Sequence, residues 1–131
     1  MKYYAVVIII AVFAVLLICL FPRQMISIDT NESFYSDYSV KGDKVYIYCT
    51  VFIKNNSQNE KNVMLNALFD NDVETGLLKE SVLKGYDIDR QTEVFELIKG
   101  VNKLEVVFIG EFAGTAQKHD RLLPQIKIIE Q

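Results

Sequence analysis

The sequence predicts an all-β fold, an antiparallel β-sandwich of six or seven strands preceded by one N-terminal transmembrane helix. Three observations carry this. Residues 3–21, YYAVVIIIAVFAVLLICLF, form an unbroken apolar run without a charge. Beyond it, apolar residues recur with period two in short segments, separated by turn signals about every ten residues. No long segment has the 3.6-residue period of an amphipathic helix, and no internal repeat is present, which leaves a two-layered sheet as the way to bury the apolar faces.

At ~1.5 Å of rise per residue, a helix over residues 3–21 spans roughly 28 Å, close to the ~30 Å hydrocarbon core of a bilayer. The run exceeds a signal-peptide core of roughly 7 to 15 residues, and no small-residue cleavage site follows it, so an uncleaved anchor is expected. The lipobox alternative, Leu16-Leu17-Ile18-Cys19, has Ile18 where a small residue is needed, and Leu20 and Phe21 continue the apolar run. A pilin-like start would need a cleavable glycine and a glutamate near the helix start, and neither is there. Lys2 and Arg23 nearly balance across the run, so the positive-inside rule alone decides little. The short N-terminal tail and the acids Asp29, Glu32 and Asp37 favour an exported C-terminal domain.

Residues 1–23 are therefore read as the anchor, 24–43 as a linker, and 44–131 as the sandwich domain. Pro22 marks the helix end, because its ring removes a donor and restricts the residue before it. Within the linker, SFYSDYSV (33–40) could supply an edge strand. Residues 45–54, VYIYCTVFIK, place Val45, Ile47, Cys49, Val51 and Ile53 on one face and Tyr46, Tyr48, Thr50, Phe52 and Lys54 on the other. A polar turn over 55–62 leads to a strand over 63–70, joined by a hairpin or by an arch between sheets. Residues 71–76 read as a turn, 77–83 as a short strand, and 84–90, with Gly85 and two aspartates, as a loop. TEVFELI (92–98) resumes the alternation, and LEVVFIGEF (104–112) puts Leu104, Val106, Phe108, Gly110 and Phe112 on one face. After a polar loop, Pro124 opens a last strand over 125–130, where a missing donor is tolerable.

Composition narrows the function classes. All 17 acidic residues lie beyond Phe21, and residues 24–131 carry 12 basic and 17 acidic groups, a net of −5. Such a domain is a poor nucleic-acid binder. The two cysteines, Cys19 in the apolar run and Cys49 in a strand, would lie in different media and could not pair. Cys49 on the inward face reads as a packed side chain, since a nucleophile needs exposure and a base.

The run NNSQNEKNVMLNALFDNDVETGLL (55–78) resembles the strand-turn-strand opening of small membrane-anchored immunoglobulin-like β-sandwich domains of the Gram-positive bacterial cell envelope. VFELIKGVNKLEVVFIGEFAGTAQKHDRLLPQIKI (94–128) resembles their closing strands. The likeness is one of architecture, because the tryptophan and the disulfide of antibody domains are both missing. It implies an exported, non-enzymatic module and transfers no active-site residue.

No constellation for chemistry assembles. His119, the single histidine, lies in the polar loop, without the Gly-x-Ser-x-Gly turn of a hydrolase nucleophile. Asp120 and Arg121 beside it read as a local ion pair. Asp70-Asn71-Asp72-Val73-Glu74-Thr75-Gly76 alternates oxygen ligands, but its glycine is one place late for an EF-hand and Ser81 falls where the closing acid should be, so a hairpin turn is expected. One cysteine and one histidine outside the anchor do not make a zinc site. No cofactor is implied. The sequons Asn31-Glu32-Ser33 and Asn55-Asn56-Ser57 read as turn residues.

One feature points outward. Tyr46, Tyr48 and Phe52 on one strand, and Val107 and Ile109 on another, face away from the expected core and form a candidate contact surface, unless the linker or a neighbouring strand covers them. The leading expectation is a binding or structural module anchored in the bilayer through residues 3–21, meeting another envelope protein. The alternatives are a small accessory subunit of a larger membrane complex, or an enzyme of unrecognised type.

Overall fold

The computed structural model describes residues 25–116 and 121–131. The anchor expected over 3–21, with Cys19, lies outside the described residues. Among those described, no helix is long and apolar enough to cross a membrane.

The chain forms β1 (Ile26–Ile28), β2 (Phe34–Lys41), β3 (Lys44–Asn55), β4 (Lys61–Leu68), a short helix α1 (Asp70–Glu74), β5 (Val82–Asp87), β6 (Phe95–Leu97), β7 (Gly100–Glu111) and β8 (Gln125–Glu130). All pairings among these strands are antiparallel. In one group, β1 and β2 lie in series along one flank of β3, and β7 pairs with the other flank over its whole length, Lys44 opposite Glu111 and Asn55 opposite Gly100. In the other group β4 has β8 on one flank and β5 and β6 in series on the other. β3 and β4 do not pair with each other, so the connection at 56–60 is an arch rather than a hairpin.

The two groups meet in β5, whose first half pairs with β4 (Leu83 opposite Ala67) and whose second half pairs with β7 (Gly85 opposite Phe108). Gly85 makes the crossing possible. A Cβ there would stand 2.8 Å from Val106 Cγ1 and 3.0 Å from Phe108 Cε1, closer than side chains pack. Glycine within a strand leaves room for the side chains of its paired neighbour to approach closely.

Alternation along β3 is complete on the inner face, where Val45, Ile47, Cys49, Val51 and Ile53 are all buried. They pack with Val106 and Phe108 of β7, Val63, Leu65 and Ala67 of β4, and Phe95 and Leu97 of β6 in one core. The ring of Phe108 meets that of Phe69 edge-on, centroids 5.3 Å apart. At ~25 cal/mol per Å² of apolar surface withdrawn from water, this cluster is the main favourable contribution to folding.

The edge strand expected within 24–43 is present as β2, preceded by the short β1; both pair with β3, and the stretch is tied in by Ser33, whose buried hydroxyl donates to the Asp29 carbonyl at 2.7 Å and accepts from the Phe52 amide at 2.9 Å. Three other expectations are corrected. The turn expected over 71–76 is the helix α1, ended by Gly76 at φ 82°. The strand expected over 77–83 starts only at Val82, and the expected loop over 84–90 is strand as far as Asp87. Leu77 and Leu78 instead donate their backbone amides to the Asp72 carbonyl and bury their side chains in the core, Leu78 against Gly110 of β7. Their apolar character reports burial, which the period-two pattern mistook for strand.

Candidate functional site

On the outer face of the β3–β7 pair, strand register sets the outward side chains directly opposite one another. Tyr46 faces Ile109 across the strands, Tyr48 faces Val107, and Val107 in turn faces Tyr86 on β5. With Asp87, Ile88 and Gln91 from the end of β5 and the turn after it, these residues line an open groove of about 410 Å³. Phe52 does not join it. It sits opposite Lys103, separated from Tyr48 by the Thr50–Glu105 rung, where the Thr50 hydroxyl donates to the Glu105 carboxylate at 2.9 Å.

The turn that walls the groove is built around Asp87. Its backbone amide donates to the Thr92 carbonyl at 2.8 Å, and its own carbonyl accepts from the Gln91 amide at 2.8 Å. Its Oδ1 accepts from the amides of Asp89 (2.9 Å) and Arg90 (3.3 Å). Gln91 is held in the left-handed region at φ 57°, which these bonds impose on a residue that does not favour it. Asp87 is thereby fixed in position, with its second carboxylate oxygen engaged by no described residue. The neighbouring cations are committed elsewhere, Lys84 to Glu93 at 3.0 Å and Arg90 to Glu96 at 3.4 Å. Glu93 beside Lys84 holds that ammonium's pKa above its ordinary value. At the other end of the groove the Lys41 ammonium lies 5.5 Å from the centroid of the Tyr46 ring.

A second polar constellation is internal. Asp72 of α1 pairs with Arg121, which lies four residues before β8, and the side chains are 6% and 3% exposed. The Arg121 guanidinium lies over the ring of Tyr38 on β2, 4.7 Å from its centroid. Tyr35 adjoins the cluster, and its buried hydroxyl has no partner among the described residues. Burial first, and the Asp72 charge second, raise the pKa of Tyr35 above the ordinary phenol value. The same two causes push the Cys49 thiol up to about 12. The thiol is therefore neutral and enclosed, the opposite of an activated nucleophile.

No protein-family model, curated protein or solved structure matches the chain. Among the described residues, no group of three or more His, Cys, Asp or Glu side chains is placed to hold a metal ion. His119 and Asp120 lie outside the described residues, and Arg121 pairs with Asp72 on a distant helix.

Of the residues expected on the contact surface, Tyr46, Tyr48, Val107 and Ile109 come together in the groove and Phe52 stands apart. Sequence reasoning missed Tyr86, Asp87, Ile88 and Gln91, because Gly85 made the stretch look like a loop. The signal was present in VLKGYD, where Leu83 and Gly85 point inward and Lys84 and Tyr86 outward.

Proposed function

We propose that this chain is a membrane-anchored, extracytoplasmic binding module with an immunoglobulin-like β-sandwich fold, working by contact through the outer face of its β3–β7 pair and without a catalytic site of its own. The observation that carries the reading is the register that gathers Tyr46, Tyr48, Tyr86, Val107 and Ile109 on one side of a sheet whose other side is the core. Tyrosine suits such a surface, since it presents a large rigid area and a polar tip for few rotatable bonds. The sandwich is supported by two strand groups enclosing one core, and the anchor by the charge-free run 3–21. The partner is another protein of the cell envelope.

The test is proximity labelling from the tethered domain in its native cell, comparing the wild type with the Tyr46→Ser/Tyr48→Ser double variant and with His119→Ala. The double variant should lose its labelled neighbours while staying folded, with a stability loss of about 1 to 2 kcal/mol as for outward strand positions. His119→Ala should retain them. Loss of function in His119→Ala with the fold intact would favour an enzyme, and unfolding of the tyrosine variant would return the strip to the core. Protease shaving of intact cells tests the topology, since a domain digested only after lysis would contradict the exported orientation.

A further inference from the structure

We infer that the end of the sandwich where Ile98 and Val101 stand exposed around Lys99 is a docking surface for the same lipid bilayer that holds residues 3–21. This rests on the proposed anchor, and it deepens the contact reading by fixing which way the groove points.

Strand register gathers this end of the domain. Asn55 at the end of β3 lies opposite Ile26 at the start of β1 and opposite Gly100 at the start of β7. Leu97, which closes β6, lies opposite Lys61, which opens β4. The Asn55 side chain joins the two groups here, its Nδ2 donating to the Asn59 carbonyl at 3.0 Å and to the Leu97 carbonyl at 3.5 Å. Exposed Met25 sits at the same pole, its carbonyl accepting from the Asn56 amide at 2.7 Å.

Chain length brings the bilayer to this pole. Four peptide steps separate Phe21, the last residue of the apolar run, from Met25. Fully extended they span at most ~14 Å, so a run embedded over 3–21 keeps the pole within that reach of the hydrocarbon edge.

The pole carries what a lipid surface takes up. Ile98 and Val101, 58% and 60% exposed, line one surface cleft together. Asn102 braces the turn between them, accepting the Ile98 amide through Oδ1 at 2.9 Å and donating Nδ2 to the Ile98 and Gly100 carbonyls at 2.9 and 3.2 Å. Three backbone groups of the turn are thereby satisfied within the protein, which lowers the cost of leaving water. Lys99 has no ion-pair partner among the described residues, and its stem can follow the apolar pair while the ammonium turns back to the phosphates. Lys54, opposite Val101, and Lys103 make only long exposed pairs, 3.8 Å to Asp29 and 3.9 Å to Glu105, with which phosphates can compete. Glu60 and Asp89 also line the cleft, so the attraction is apolar rather than a matter of net charge.

Val107 and Ile109 lie further along β7 on the same face as Val101, ~20 to 27 Å away at ~3.4 Å per residue. With this pole on the membrane, the tyrosine groove stands clear of the headgroups.

The chain holds no tryptophan, so one introduced at a chosen position reports alone. The experiment places full-length Ile98→Trp, Val101→Trp and Val82→Trp in vesicles of phosphatidylcholine, plain or brominated on the acyl chains, bromine being a quencher that acts at contact range. Val82 is the matched control, 57% exposed and opposite Leu68, at the other end of β4 from Lys61. Ile98→Trp and Val101→Trp should shift their emission to the blue and lose most of it in brominated vesicles, and Val82→Trp should do neither. Adding Val101→Asp to the Ile98→Trp chain should restore the emission while the chain still floats with the vesicles. Unquenched emission from both reporters in chains that float would overturn the docking and leave the anchor standing. Chains that do not float would remove the anchor, and the docking with it. Quenching that survives Val101→Asp, or equal quenching at Val82→Trp, would assign the signal to the tether alone and overturn the inference. A blue shift without bromine quenching would give the pole to a second copy or another protein, and would overturn it as well.

Discussion

Removing the charge of Asp72 should be among the most damaging single changes in this protein. Both members of the Asp72–Arg121 pair are almost wholly enclosed, at 6% and 3% exposure, so Asp72→Asn takes a counter-charge away from a guanidinium withdrawn from water. Deleting one partner of a buried pair costs ~3 to 5 kcal/mol, against a typical total of ~5 to 15 kcal/mol for a domain. Part of the loss should be softened by the Tyr38 ring, whose face still attracts the cation. Replacing both partners with apolar groups, Asp72→Leu with Arg121→Met, removes the desolvated charges together and should cost far less than the sum of the single changes. The measurement is urea unfolding of the full chain in mild detergent, followed by near-ultraviolet circular dichroism of the tyrosines, for the wild type, both single variants and the double. If each single variant loses less than ~1 kcal/mol, the range of exposed ion pairs, the pair is solvated in solution and the reasoning from burial is wrong. Strict additivity of the two single losses would equally refute it.

Phe108→Ala should cost ~3 to 5 kcal/mol by urea unfolding, because its fully buried ring is packed edge-on to Phe69 and the space it leaves cannot collapse between two paired strands. Native Cys49 should resist alkylation at neutral pH and react only on unfolding, and rapid native labelling would contradict its inward register. Since folding raises the Cys49 pKa to about 12, its contribution to stability is complete below the unfolded thiol's ~8.5 and is lost as pH rises from there towards the folded value. Stability measured from pH 8 to 11 should therefore fall, and fall less steeply in Cys49→Ala.

What was legible in the sequence follows from which signals are local. The inner faces of β3 and β7 could be read because Val45 to Ile53 and Val106 to Phe108 alternate without interruption, and the two-residue period assigns a face whatever the strand pairs with. β8 matches its expected range because Pro124 punctuates its start. α1 was missed because five residues are too few for a helical period, and because Leu77 and Leu78 after it are apolar for a reason that lies across the molecule. The Asp72–Arg121 pair was illegible for the same reason: 49 positions separate its members, and nothing at either place announces the other. Half of the groove was visible as outward Tyr46, Tyr48, Val107 and Ile109. The half contributed by Tyr86 and Asp87 depends on β5 leaving β4 for β7, a choice made by the close approach at Gly85 rather than by any local preference.

That crossing of β5 also bears on how the molecule comes apart. The pairing of one short strand is divided between two strand groups, so parting the groups must break one half of the β5 pairing, with β4 or with β7. Local fraying is easiest for the strands at the outer flanks, such as β1 with its three residues. Hydrogen exchange should accordingly divide the backbone into two classes. The amides of β1 exchange through local fraying, and those along β3, β7 and the centre of β5 exchange together, at the rate set by loss of the whole fold. Gly85, the residue with the least to pack, thus stands at the point where the two strand groups are joined.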